Sequence, residues 1–139
     1  MVILLDQHNL PSDIYEIIFS TPQQKIVGRV LIDYLKQNNN VVNKSKLSLF
    51  ATKLNDGKVV TQIEEEPFIG KRVRLSYNKR QFYDRILTPM RGMGLIEYDL
   101  YKKTYRLSEN FDKVIASIGG LWVDELKKKP LNVKFSDEK

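Results

Sequence analysis

Ile86-Leu87-Thr88-Pro89-Met90-Arg91-Gly92-Met93-Gly94-Leu95-Ile96-Glu97-Tyr98 is the stretch on which the fold turns. Its first half closes a helix predicted over 79–93. Phe82, Ile86, Met90 and Met93 recur at helical spacing, flanked by Tyr83 and Leu87. Pro89 falls inside that helix and predicts a kink or local break at Thr88. Gly92 and Gly94 supply the stop, because a glycine lets the chain reverse where a Cβ would clash. The second half changes period. Leu95 to Leu100 alternates as a strand, Tyr101-Lys102-Lys103 makes a turn, and Thr104 to Leu107 returns as a second strand. A helix that runs through a glycine turn straight into a hairpin is a specific arrangement.

Upstream, Ser12-Asp13 with Glu16 gives a helix start for a short helix over 13–19. Pro22 suits the first turn of a second helix running to Gln37. Ile26, Val27, Val30, Leu31, Tyr34 and Leu35 form its apolar stripe, and Asn38-Asn39-Asn40 ends it. Val41-Val42 is a β-prone pair. Asn43 caps a helix from Lys44 to Leu54, with Leu47, Phe50, Ala51 and Leu54 on one face. Asn55-Asp56-Gly57 stops it. Residues 58–76 then read as an inserted β-hairpin or arm, with Arg72 and Arg74 on the face opposite Val73 and Leu75, and Glu64-Glu65-Glu66-Pro67 at its turn.

Downstream, Phe111, Val114, Ile115, Ile118, Leu121, Trp122 and Leu126 mark a long helix over 109–129, weakened in its middle by Gly119-Gly120. Lys127-Lys128-Lys129 suits the negative end of its dipole, and Pro130 ends it. The expected organisation is one domain over 1–130, with an N-terminal extension over 1–21 and a flexible tail over 131–139. The expected class is α+β, mainly α.

Composition narrows the function. The 139 residues are 42% hydrophobic, enough for a proper core. No apolar run approaches the roughly 18–20 residues of a membrane helix. The opening Val2-Ile3-Leu4-Leu5 lacks the flanks of a signal peptide. No cysteine is present, which removes disulfides and thiolate metal sites and fits a cytoplasmic location. One histidine, His8, cannot build a multi-histidine site. Consecutive Glu64, Glu65 and Glu66 on a strand point to opposite faces and cannot converge on one ion, so a solvated turn is the expectation. No nucleotide loop, catalytic set or metal spacing appears, so neither an enzyme nor a cofactor is expected.

The formal charge of +6 is concentrated. From Lys71 to Arg91 there are seven basic residues and one acid, Asp84, so this stretch carries the whole excess. Such a localised field suits a polyanion, or equally a solvated surface.

With the insert set aside, the order of elements and the Gly-Leu-Ile passage into a hairpin resemble winged helix-turn-helix DNA-binding proteins, over about residues 23–107. The resemblance implies that the helix 79–93 enters a major groove and that the hairpin 95–107 is a wing touching the backbone or minor groove. Turning Phe82, Ile86 and Met90 inward leaves Arg80, Gln81, Asp84, Arg85, Thr88 and Arg91 outward. Arg80, Gln81 and Arg85 are the expected base readers, since Arg pairs bidentately with guanine and Gln with adenine. Arg91 and Tyr77 are the expected phosphate contacts, and Lys79 lies on the same helix. Lys102 and Lys103 at the wing tip suit phosphate, as do Lys44 and Lys46 at a helix start. Arg72 and Arg74 are either a second DNA-reaching arm or an edge strand kept soluble by charge. The long turn between the central helices departs from the family pattern and bears on docking geometry.

The last helix is expected to form a homodimer through Phe111, Val114, Ile115, Ile118 and Trp122, or else to pack on the 22–37 helix of the same chain. The leading functional expectation is a site-specific transcriptional regulator on double-stranded DNA, nucleoid-associated when bound. A winged-helix protein-interaction module and a replication or partition factor are the alternatives.

Overall fold

The computed structural model describes residues 7–8, 11–63 and 71–136. Most of the N-terminal arm and the Glu64–Pro67 turn lie outside them. The described chain is α+β and mainly helical, and it divides into two compact units, Met1–Ser108 and Glu109–Lys139.

In the first unit, α1 (Ile14–Ile18) is followed by α2 (Pro22–Gln37), β1 (Val41–Asn43) and α3 (Lys44–Asn55). Each start has a chemical cause. The side chains of Asp13, Thr21 and Asn43 accept hydrogen bonds from the backbone N–H of Tyr15, Gln24 and Lys46, satisfying donors that a helix start leaves orphaned. The ends share one device. Asn39 at φ 59° and Gly57 at φ 69° turn the chain left-handed after α2 and α3. In both, the N–H two places beyond the cap reaches back five residues. Asn40 donates to Leu35 O at 2.7 Å and Lys58 to Lys53 O at 2.8 Å.

The insert is a two-stranded antiparallel hairpin, β2 (Val59–Ile63) with β3 (Lys71–Leu75), in register Val59 to Leu75 and Ile63 to Lys71. It is pinched shut at its base. Leu54 O accepts from Gly57 N at 3.2 Å and again from Tyr77 N at 3.0 Å. Two residues on, Lys79 N donates to Asn55 Oδ1 at 2.9 Å. The chain therefore leaves α3 and returns to the same place, and the excursion does not separate the helices on either side of it.

The basic helix that follows is not one regular helix. It comprises α4 (Lys79–Gln81), a π-helical segment (Phe82–Leu87) and α5 (Thr88–Gly92). The expected break at Thr88 is replaced by this wider turn just upstream. Pro89 has no N–H, so the residue 85 carbonyl loses its ordinary donor. The backbone widens to compensate: Thr88 gives both its N–H and its hydroxyl, at 2.8 Å, to Tyr83 O. Pro89 then sits in the first turn of α5, where the missing donor costs nothing. α5 closes as α2 and α3 do, with Leu95 N donating to Met90 O at 2.9 Å and Gly94 at φ +85°. No atom crowds a Cβ built at Gly94. The glycine is needed for its backbone angle, not for the clash expected from the sequence.

β4 (Ile96–Asp99) and β5 (Thr104–Leu107) form the hairpin, and β1 pairs with β5, giving the antiparallel order β1-β5-β4. Thus Val41-Val42 is a true edge strand, with Val42 buried and its neighbours exposed. The core lies between these elements: Val27, Leu31 and Leu35 of α2, Leu47, Phe50 and Leu54 of α3, Phe82, Ile86 and Met90 of the basic helix, and Ile96 and Tyr105 of the sheet. An aromatic chain runs through it. Tyr34 stacks on Phe50 at 4.7 Å, Phe50 meets Phe82 edge-on at 5.7 Å, and Phe82 meets Tyr83 at 5.5 Å.

α1 is fastened by Phe19, 4% exposed, whose ring lies against Gly28 of α2. A Cβ at Gly28 would run into that ring. Gly28→Ala gains about 1 kcal/mol of helix propensity but overpacks a buried ring, at roughly 1–3 kcal/mol. A net loss of up to about 2 kcal/mol is expected in urea unfolding. A more stable variant would show that Phe19 does not hold α1.

In the second unit, α6 (Phe111–Lys127) carries no buried residue. Residues 131–136 have no regular secondary structure and are exposed.

Candidate nucleic-acid interface

The expected site residues fall into three groups. The first comprises the outward residues of the basic helix. Arg80, Gln81, Arg85 and Thr88 are exposed, as burial of Phe82, Ile86, Leu87 and Met90 requires. Asn78 caps the first turn by accepting from Gln81 N at 3.0 Å, which fixes the backbone beneath Arg80 and Gln81. Arg80 Nε lies 3.9 Å from Asp84 Oδ2, with both side chains largely exposed. In that setting the pair is weak, and its guanidinium is open to a better acceptor. Thr88 is less available, since its hydroxyl is committed to Tyr83 O. The π segment fits one more residue per turn than an α-turn, so Arg85 is offset from the position that ideal helical spacing gives it relative to Arg80 and Gln81.

The second group is a lysine cluster assembled from distant sequence. β1 leads into α3 and pairs with β5, Asn43 opposite Thr104. Lys44 N donates to Lys103 O at 2.9 Å. The start of α3 is therefore bound to the hairpin turn, and Lys44, Lys46, Lys102 and Lys103, all exposed, gather at that junction. Lys46 Nζ is 3.5 Å from Asn38 Oδ1, a long and yielding contact. The turn itself is held by internal hydrogen bonds. Asp99 Oδ1 accepts from Tyr101 N at 2.9 Å and Lys102 N at 3.0 Å, and Lys103 adopts φ 53°. The Lys102 backbone N–H is the main cause holding the Asp99 carboxyl below its ordinary value, and the Tyr101 N–H adds to it. Tyr101 projects at the tip, 96% exposed.

The third group consists of expected contacts that the fold uses for itself. Tyr77 is 7% exposed and belongs to the core, so it is corrected from phosphate ligand to packing residue. Lys79 reaches back to α3, where its Nζ donates to Thr52 Oγ1 at 2.9 Å and Ser48 Oγ at 3.3 Å. It joins two helices and is turned away from the outward face. Arg91 sits over the rings of Tyr98 and Tyr105, at 5.3 and 5.8 Å. This cation–π contact ties the end of the basic helix to the hairpin. Burial raises the Tyr105 phenol above its ordinary value despite the opposing Arg91 charge. Arg91 is thus a positioning group for the hairpin. No signal in the sequence marked these three roles, because each depends on a partner far along the chain.

Arg72 and Arg74 share one face of β3, opposite Gln62 and Val60, and are exposed. They are not among the residues that meet at the Lys44–Lys103 junction. A cleft of about 280 Å³ between α2, α3 and β2 is lined by Val30, Tyr34, Leu49, Phe50 and Val60, with Asp33, Lys53 and Lys58 at its polar positions. Among the described residues no group of carboxylates and histidine is placed to hold a metal ion, and no helix is long and apolar enough to cross a membrane. No family model matches the chain, and no curated protein or solved structure is detectably similar to it.

Proposed function

We propose that the first unit is a winged-helix module that binds double-stranded DNA, with 79–92 as the recognition helix and β4–β5 as the wing. The strand order β1-β5-β4 and the Gly94 turn from α5 into β4 support the architecture. The pinched base of β2–β3 supports it further, because the insert leaves the two central helices as close as a short turn would. The observation that carries the function is the junction at Lys44 N and Lys103 O. It gathers four lysines from two remote stretches, while the helix feeding the same hairpin turns Arg80, Gln81 and Arg85 outward. Phosphate contacts from the lysines would fix the register, and the helix would read bases. Site-specific regulation of transcription is the favoured role.

The test is selection from a pool of random duplex DNA at two salt concentrations. An enriched motif is expected. Salt-sensitive binding without enrichment would point to an architectural or partition role, and no binding at low salt would sink the DNA reading. On the enriched site, Arg85→Ala is expected to cost about 1–3 kcal/mol and relax preference at one base position. Uniform weakening across sequences would instead make Arg85 a phosphate contact.

A further inference from the structure

We infer that α6 is a self-association helix that pairs antiparallel with α6 of a second copy. Its apolar side chains are exposed to an extent that a monomer does not explain. Val114, Ile115, Ile118, Leu121, Trp122 and Leu126 are 47–68% exposed, and with Phe111 they occupy one continuous arc of the helix. Glu125 is the one charged residue within that arc. The opposite side carries Lys113, Ser117, Asp124 and Lys127.

Two facts show that this helix needs a cover. Gly119 and Gly120 stand at its centre, with nothing near enough to require a missing side chain. Glycine is the poorest helix former after proline, and most helical stability in proteins comes from packing of an amphipathic face. Second, the arc is large. Six exposed side chains at roughly 100 Å² apiece give on the order of 600 Å² per copy, so a pair would bury about 1,200 Å², the lower end of the standard range for a stable interface.

The charges select the occupant and its direction. Glu109, Asp112 and Lys113 leave the N-terminal end with one net negative charge, and Asp124, Glu125, Lys127, Lys128 and Lys129 leave the C-terminal end with one net positive charge, Lys128 being paired with Glu125 at 3.0 Å. A parallel pair would bring two net positive ends, and two like ends of the helix dipoles, together. An antiparallel pair sets each lysine end beside the partner's acidic end and opposes the two helix dipoles. A surface that complements itself under a two-fold rotation fits a second copy of the same chain. The pairing does not rest on the DNA reading and is testable without DNA.

Sedimentation equilibrium of the full chain, in the absence of nucleic acid, is expected to give twice the chain mass at micromolar concentration. The double variant Ile118→Glu, Trp122→Glu is expected to give the monomer mass. A monomeric unmodified chain at all concentrations overturns the proposal. Direction is read by disulfide cross-linking, which the cysteine-free sequence makes clean. Phe111→Cys is expected not to cross-link with itself, because an antiparallel pair holds its two copies about 20 Å apart at 1.5 Å rise per residue. It is expected to cross-link with Leu126→Cys in a mixture. Self-cross-linking of Phe111→Cys without the mixed product overturns the antiparallel arrangement.

Discussion

Phe82→Ala is expected to cost about 3–5 kcal/mol, the usual range for removing a fully buried aromatic ring. That is a large share of the roughly 5–15 kcal/mol that holds a domain together. Phe82 is 0% exposed and is the largest of the fully buried side chains. It touches Phe50 of α3 on one side and Tyr83 on the other. It is also the first residue of the π segment, where the backbone ladder is already irregular. Loss of the ring therefore empties the core where the basic helix depends most on packing. The melting temperature, followed by circular dichroism, should fall by on the order of 10–20 °C. A fall of only a few degrees would mean that the aromatic chain from Tyr34 to Tyr83 does not hold the basic helix in place.

Alanine at Lys44, Lys46, Lys102 and Lys103 together is expected to have the largest effect on DNA binding. Each phosphate neutralised by a lysine releases counterions, and log K falls with log salt by about 0.9 for each contact. Removing all four should flatten the salt slope by about 3–4 and weaken binding on the order of a thousandfold near 0.1 M salt. Base preference should survive, because Arg80, Gln81 and Arg85 remain. The four side chains are exposed, so folding should be little affected. The measurement is titration by fluorescence anisotropy at several salt concentrations. An unchanged slope would show that the junction at Lys103 O does not meet the backbone, and would shift the proposed interface to the Arg72–Arg74 face of β3.

Much of the fold was legible where local chemistry decides it. The caps at Asp13 and Asn43 can each be read from one side chain and its position, and so can the turns at Asn39, Gly57 and Gly94. The inward stripe of the basic helix followed from Phe82, Ile86 and Met90 alone. Pro89 announced that this helix could not be regular. Its π form was not legible, since the backbone could have kinked instead, and the wider turn is closed by the two bonds from Thr88 to Tyr83 O. Tyr77, Lys79 and Arg91 have roles in the fold that were not legible, for a related reason. A residue type states what a side chain can do, while its partners determine what remains free to do it. Tyr77 is occupied by the core, Lys79 by Ser48 and Thr52, and Arg91 by Tyr98 and Tyr105.

What the sequence by itself determined was the set of elements, their polarity and the location of the positive charge, because helix caps, hydrophobic period and charge are short-range properties. Three features were decided only in the tertiary structure. The β2–β3 insert closes on Leu54 O and leaves the central helices adjacent. β1 joins the sheet through β5. Lys44 and Lys46 come to lie beside Lys102 and Lys103, which are more than fifty positions away. Each depends on hydrogen bonds between segments that no local pattern relates, and whose partners are fixed only once the core has brought the segments together.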